Sequence, residues 1–445
     1  MKATLSIRAE WERTSEGTPE ERACFATFCI GTPDVSLTEG FDAYVNRLRQ
    51  GPLVSAYHAA EWFAWNWWRL RWEARSTRQG WAHSHQMSSI GAGYVWPNIT
   101  ILSDGSRIVL YPEPSKPSAK PFRYIADVPL VVSGRQFESA VDEFVAQVLD
   151  RLKVEMVAET NLSRIWEDVI AERADPAAAL RRKLEALIGA EPDEADPETI
   201  DRLEAEGREV GTEAAVELAA DQGVEGKAHT VSELRSIAVS NGYDAKPSDA
   251  IKLDDPSSLP KVDEVPAWVR GAKAARQLRA QVGLGAAPIS NNRLEEMAAV
   301  SKGLIVAPKR YDELSFSMDD NAASRVVLGS KWETGRRFNL ARLLGDRLCA
   351  SRGDKLRTAT RTYTYRQKMQ RSFAAEFLCP FEALEDWIKR DYSNEAMENA
   401  AEHFTVSSRT IETLLVNHGR INRSGLEADP EREAARFVWT DFRAS

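Results

Sequence analysis

Between Tyr57 and Ala74 the chain crowds Trp62, Phe63, Trp65, Trp67, Trp68 and Trp72 into one short stretch. Trp62, Trp65, Trp68 and Trp72 recur at spacings of 3, 3 and 4, which lines one face of a helix. Aromatics at that spacing usually form core. Here they occupy more than one face, which predicts burial on two sides or an interface with a partner. Arg69, Arg71, Arg75 and Arg78 lie close by, so stacking on nucleic-acid bases is a further reading of the same helix.

The rest must be built around that element. At 445 residues the chain is long enough for two to four domains, and 43% hydrophobic residues suffice for packed cores. A net charge of −9 argues against binding nucleic acid mainly through phosphates, although a local basic patch stays open. Cys24, Cys29, Cys349 and Cys379 form no C-x-x-C pair, which indicates a reducing compartment. The N-terminus lacks the apolar run of a signal peptide, and no stretch of about 18 apolar residues predicts a membrane span. A cytoplasmic protein without a membrane partner is expected.

Composition divides the chain into three. Residues 1–150 read as a Trp-rich mixed α/β domain. Ile99–Leu102 and Ile108–Tyr111 flank Asp104-Gly105, a type I′ hairpin signal, and Ser133 with Gln136 makes a capping box for a helix. Residues 151–262 read as short acidic helices, ending in a linker rich in Pro, Ser and Asp around Asp254–Pro266. Residues 263–445 read as mostly helical with a small sheet. The expected fold class is α+β and multidomain.

Four stretches of the last block occur in a telling order. They are Lys273-Ala-Ala-Arg-Gln-Leu-Arg, then Pro288-Ile-Ser-Asn-Asn-Arg-Leu-Glu-Glu, then Val326-Val-Leu-Gly-Ser with Gly335-Arg-Arg-Phe-Asn-Leu-Ala, then Ser372-Phe-Ala-Ala-Glu-Phe-Leu-Cys-Pro. Together they resemble the ImmA/IrrE family of bacterial zinc metallopeptidase-like proteins. The resemblance implies a zincin-like domain: an opening helix pair, an edge strand, an active-site helix and a helix ending in an F-A-A-E-L-L-x-P pattern. It also implies an H-E-x-x-H run whose imidazoles share one helix face, and an acidic third ligand shortly before the F-A-A stretch.

The chain departs from that pattern at each of these positions. Where His-Glu-Leu-Gly-His would stand it has Arg342-Leu343-Leu344-Gly345-Asp346. Arg342 replaces the first His, and a guanidinium has no lone pair for a metal. Leu343 replaces the general base. Asp346 replaces the second His and is the single remaining donor. Residues 366–372 contain no Asp or Glu, so the third ligand is missing as well. A catalytic zinc needs about three protein ligands. Arg342, Leu343 and Asp346 are therefore read as vestigial positions, with no catalytic residue, metal or cofactor expected. Arg342 and Asp346, four apart, form either a helix-surface ion pair or a filling for the vacated metal pocket.

Two weaker signals remain. His83 and His85 would share a strand face and could bind a metal, but solvated loop histidines are the default. Ala400 to Leu415 looks like a helix-turn-helix, with Val406 in the turn, Ser407 as cap and Arg409 opening the second helix. The resembling family has a similar segment in its own fold. The reading with most support is a non-catalytic ImmA/IrrE-like protein. It would bind another protein, a regulator, toxin–antitoxin component or defence component. The alternatives are a metallopeptidase with rearranged ligands that cleaves a repressor or antitoxin, and a nucleic-acid-binding regulator.

Overall fold

A computed structural model describes residues 4–116, 120–157, 159–306, 311, 313–319, 323–350 and 353–422. The chain is α+β. It forms two compact units, the first reaching Asp196 and the second starting at Pro197. The divisions expected at 150 and 262 are therefore not observed, and the expected third block runs on into residues 423–445, outside the described residues.

In the first unit the strands are β1 (Ser6–Trp11), β2 (Phe25–Gly31), β3 (Gly40–Asp42), β4 (Arg47–Arg49), β5 (Leu53–Ser55), β6 (Ile99–Ser103), β7 (Arg107–Pro112), β8 (Phe122–Tyr124) and β9 (Leu130–Ser133). They pair antiparallel in the orders β1-β2-β5, β4-β3-β8 and β6-β7-β9. Ile7 and Ala9 alternate inward from β1, as the two-residue period of a strand requires. The β6–β7 hairpin turns one residue later than expected. Asp104 N–H bonds Arg107 O, so Gly105 and Ser106 are the central pair. Gly105 has φ +86° and Ser106 does not, which is the II′ pattern instead of I′. The Asp104 Oδ1 accepts from the Ser106 and Arg107 amides.

The Trp-rich stretch forms two helices, Ala56–Trp65 and Trp67–Trp72. They break at Asn66, whose side-chain amide bonds the Trp62 carbonyl and competes for that acceptor. The buried stripe is Ala56, Ala59, Ala60, Phe63, Trp67 and Leu70, and its spacing of three and four is helical. Trp62 and Trp68 are buried as well, with indole N–H groups donating to His83 O and to Glu172. Trp72 is partly buried, with Arg71 and Lys183 over its ring. Trp65 differs. It lies on the His58–Glu61–Trp65 line that faces solvent and is 55% exposed. The expected four-Trp face therefore does not exist, and Trp65 is not core.

The capped helix Gly134–Val154 buries Phe137, Val141, Phe144, Val145 and Val148. Helices Asn161–Ala174 and Pro176–Leu187 send Leu162, Trp166, Val169 and Ala186 into the same core. Their charged outer faces read as a separate acidic region, but their apolar stripes complete the first unit.

The second unit holds β10 (Tyr243–Ala245), β11 (Ser315–Asp319), β12 (Ser324–Val327) and β13 (Leu356–Ala359) in one antiparallel sheet of order β10-β12-β11-β13. β12 was expected at the sheet edge. It is an inner strand, because β10 covers it with Tyr243 opposite Val326. The expected linker around Asp254–Pro266 also packs. Leu253 and Leu259 join the core, and the side chains of Gln277 and Gln281 bond its backbone.

Three helices carry the interior of this unit: Ala267–Gln281, Glu333–Cys349 and Tyr365–Leu378. Glycine lets them approach. A Cβ on Gly271 would sit 2.3 Å from the Met369 carbonyl, and one on Gly345 would sit 2.5 Å from the Phe373 ring. Helices Asn394–Phe404 and Ser408–Asn417 form the helix-turn-helix segment, joined through Thr405 in the left-handed region and buried Val406. Ser407 caps Thr410 as expected, Arg409 is exposed, and Phe404, Ile411 and Leu415 enter the core. Among the described residues no helix is long and apolar enough to cross a membrane.

Candidate functional site

Arg342, Leu343 and Asp346 all point inward from helix Glu333–Cys349, and none is a surface residue. Leu343 lines a small cleft with Leu340, Leu344, Val300, Val326, Ser317 and Arg347.

Arg342 and Asp346 are not paired with each other by a hydrogen bond. Each is met by helix Tyr365–Leu378 and by the strand before it. The Arg342 Nη2 donates to Thr360 O at 2.6 Å and to Gln367 Oε1 at 2.6 Å. Gln367 then donates through Nε2 to Glu217 Oε2 at 2.8 Å, and Thr364 Oγ1 donates to the same carboxylate at 3.0 Å. Asp346 is gripped by a guanidinium fork, with Arg366 Nε on Oδ1 at 2.7 Å and Nη2 on Oδ2 at 2.6 Å. Gln370 Nε2 adds a third donor at 3.0 Å. Arg366 also donates to Asp354, and Arg357 lies 3.8 Å from Asp346. So Arg342, Arg357 and Arg366 are set against Glu217, Asp346 and Asp354 in the interior, where each charge needs its partner.

The titration behaviour follows from this packing. Burial alone would raise the Asp346 carboxyl, but Arg366, Gln370 and Arg357 outweigh it and hold it below the usual aspartate value. Burial dominates at Glu217 and raises it. Burial, with the nearby charge of Arg371, lowers Arg342 to about 9. Asp221, one turn beyond Glu217 on the same helix, is pushed up to about 7 by burial and by Glu225 and Glu217.

The salt-bridge network around Arg342 and Asp346 does not fit zinc. Zinc takes lone pairs from Cys, His or carboxylate. Arg342 has none to give, and both Asp346 oxygens are held by Arg366. Among the described residues no group of three or more His, Cys, Asp or Glu could hold a metal. The histidines lie elsewhere. His83 and His85 sit on the short helix Trp81–His85, not on a strand. His83 is exposed. His85 is fully buried, contrary to expectation, with Nε2 2.9 Å from Glu73 and Nδ1 3.0 Å from Ile101 O.

Sequence reasoning missed Glu217, Arg366, Gln367 and Gln370. The signal was present. Arg342 with Asp346, and Arg366 with Gln370, are polar pairs four apart on helices that also turn apolar residues such as Leu340, Leu344, Phe373 and Phe377 inward. Glu217 is a lone acid within Ala214-Ala-Val-Glu-Leu-Ala-Ala. Comparison of the chain with protein-family models, with curated proteins and with solved structures returned no match.

Proposed function

We propose that this chain is a non-catalytic relative of the ImmA/IrrE peptidases, acting in the cytoplasm by binding another protein of a bacterial regulatory, mobile-element or phage-defence system. The observation that carries this reading is the Arg366–Asp346 fork. It stands where the resemblance would put a metal and its second ligand. Both helices of the helix-turn-helix segment spend their inward faces on the core, and Arg409 is exposed. Nucleic acid is not the favoured partner of a chain with a net charge of −9.

A proteolysis assay tests the loss of catalysis. Casein and candidate repressor or antitoxin proteins are incubated in zinc buffer with the wild type, with Arg342→His/Leu343→Glu/Asp346→His, and with that variant carrying Arg366→Glu. No chelator-sensitive cleavage is expected from the wild type or the triple variant. The triple variant restores the motif but leaves Arg366, with only Asp354 as partner, beside the site, a cation that opposes a dication. Zinc-dependent, chelator-sensitive cleavage by the wild type would mean a real peptidase with rearranged ligands.

A further inference from the structure

Helix Thr212–Glu225 of the second unit turns two carboxylates inward, Glu217 and Asp221, one turn apart. Glu225 follows one turn later at the exposed end. The two buried acids differ in what meets them. Glu217 accepts from Thr364 and Gln367. Asp221 is 3% exposed, and among the described residues no hydrogen-bond donor reaches its oxygens. It is met instead by His229, whose Nε2 lies 3.9 Å from Oδ2, beyond hydrogen-bonding distance. The helix ends at Gly226, with φ 76°, and the chain folds back to bring His229 to Asp221 before Thr230 caps the next helix.

The charges around Asp221 come from several elements. Glu217 and Glu225 share its helix and repel it. Arg361, in the turn after β13, and Arg342, on helix Glu333–Cys349, attract it without bonding to it. Arg342 is committed to Thr360 and Gln367. The Tyr311 phenol, ahead of β11, lies within range of its charge. His229 in turn faces Lys227, Glu313, Glu233 and Glu225. A buried carboxyl flanked by two acids and lacking a donor is most stable as the neutral acid. Burial, Glu225 and Glu217 push Asp221 up to about 7, while burial and Lys227 hold His229 below the usual imidazole value. Asp221 is thus mainly charged only where His229 is already neutral, and their contact is not an ion pair at any pH.

We propose that Asp221 is a pH-sensitive latch on helix Thr212–Glu225: the neutral carboxyl lets the helix pack inward, and loss of its proton to solvent loosens the helix. Ala214 and Leu218 of this helix share a core with Leu314, Phe316 and Leu356 of the sheet, so the latch acts on the helix–sheet contact. The sign is defined. The Asp221 value is raised in the fold, so its contribution is fully present below the ordinary aspartate value of about 4 and is lost as pH rises through about 7. His229, whose value is lowered, works in the opposite direction below about 6.5. Asp346 titrates below the ordinary aspartate value, outside this window.

The test is hydrogen exchange of the full chain followed by mass spectrometry from pH 5 to pH 7, corrected for the intrinsic pH dependence of amide exchange. The opening constant of helix Thr212–Glu225 should rise by about tenfold across that range, since the opened helix holds one proton fewer. Helix Asn161–Ala174, in the first unit, should show no such rise. Asp221→Asn, which keeps the shape of the neutral acid and cannot ionise, should abolish the rise, and His229→Gln should preserve it. A flat or falling opening constant in the wild type, or a rise that persists in Asp221→Asn or vanishes in His229→Gln, would overturn the proposal. So would a rise of the same size in helix Asn161–Ala174. Failure of Asp221→Asn to fold would overturn it as well, because a neutral group of this shape is what the packed helix is proposed to hold.

Discussion

Replacing Asp346 by alanine is expected to destabilise the second unit by about 3–5 kcal/mol, because it strands a buried guanidinium. Asp346 is fully buried and Arg366 nearly so, and both carboxylate oxygens are engaged by the fork. Removing one partner leaves Arg366 with only Asp354. Replacing both together, Asp346→Leu with Arg366→Met, should recover most of the loss, since buried pairs exchanged for well-packed apolar residues are often neutral. The readout is urea unfolding followed by circular dichroism, resolving the transition of this unit from that of the first. The pH dependence has a defined sign. The Asp346 carboxyl is depressed in the fold, so its contribution is fully present above the ordinary aspartate pKa of about 4 and disappears as pH falls below it through the folded value. Equal losses in Asp346→Ala and in the double variant would show that a stranded guanidinium is not what destabilises the single variant.

The second large effect separates two tryptophans three residues apart. Trp68→Ala should cost about 3–5 kcal/mol, for it empties a packed site and removes the donor to Glu172. Trp65→Ala should cost under about 1 kcal/mol, because more than half of that side chain is already in water. Thermal unfolding of both variants decides the matter. A Trp65→Ala variant as damaged as Trp68→Ala would contradict the broken helix and restore the continuous four-Trp face.

That contrast shows what was legible. The α+β class, the hairpin region, the Ser133 cap and the Ser407 cap follow from local chemistry, because a turn or a cap is decided within a few residues. The Trp face failed because large aromatics drew the period, whereas the alanines at 56, 59 and 60 set it and Asn66 broke it. The boundary at 150 failed for a related reason. Charged outer faces dominate the composition of residues 161–187, while a few apolar residues, such as Trp166 and Val169, decide where these helices pack. The expected linker failed because Pro, Ser and Asp mark irregular backbone, and irregular backbone can still be tied down by glutamines from a neighbouring helix.

At the site, the sequence showed two charged residues four apart and not the buried partners of either. Arg342 and Asp346 lie four apart, so a mutual ion pair was the local expectation. Each instead found a stronger partner from far along the chain, 20 residues away for Arg366 and 125 for the Glu217 that Gln367 links to Arg342. Long-range pairing of buried charges is set by the packing of whole helices, which no local window contains.

The most direct test is the zinc content of the purified protein. The full chain is purified without added metal, then incubated with zinc and desalted, and zinc per chain is measured by elemental analysis in both states. The expected result is well under one zinc per chain in each, since Arg342 cannot ligate and Arg366 holds Asp346. One zinc per chain that survives desalting and is lost in Asp346→Ala would contradict the account.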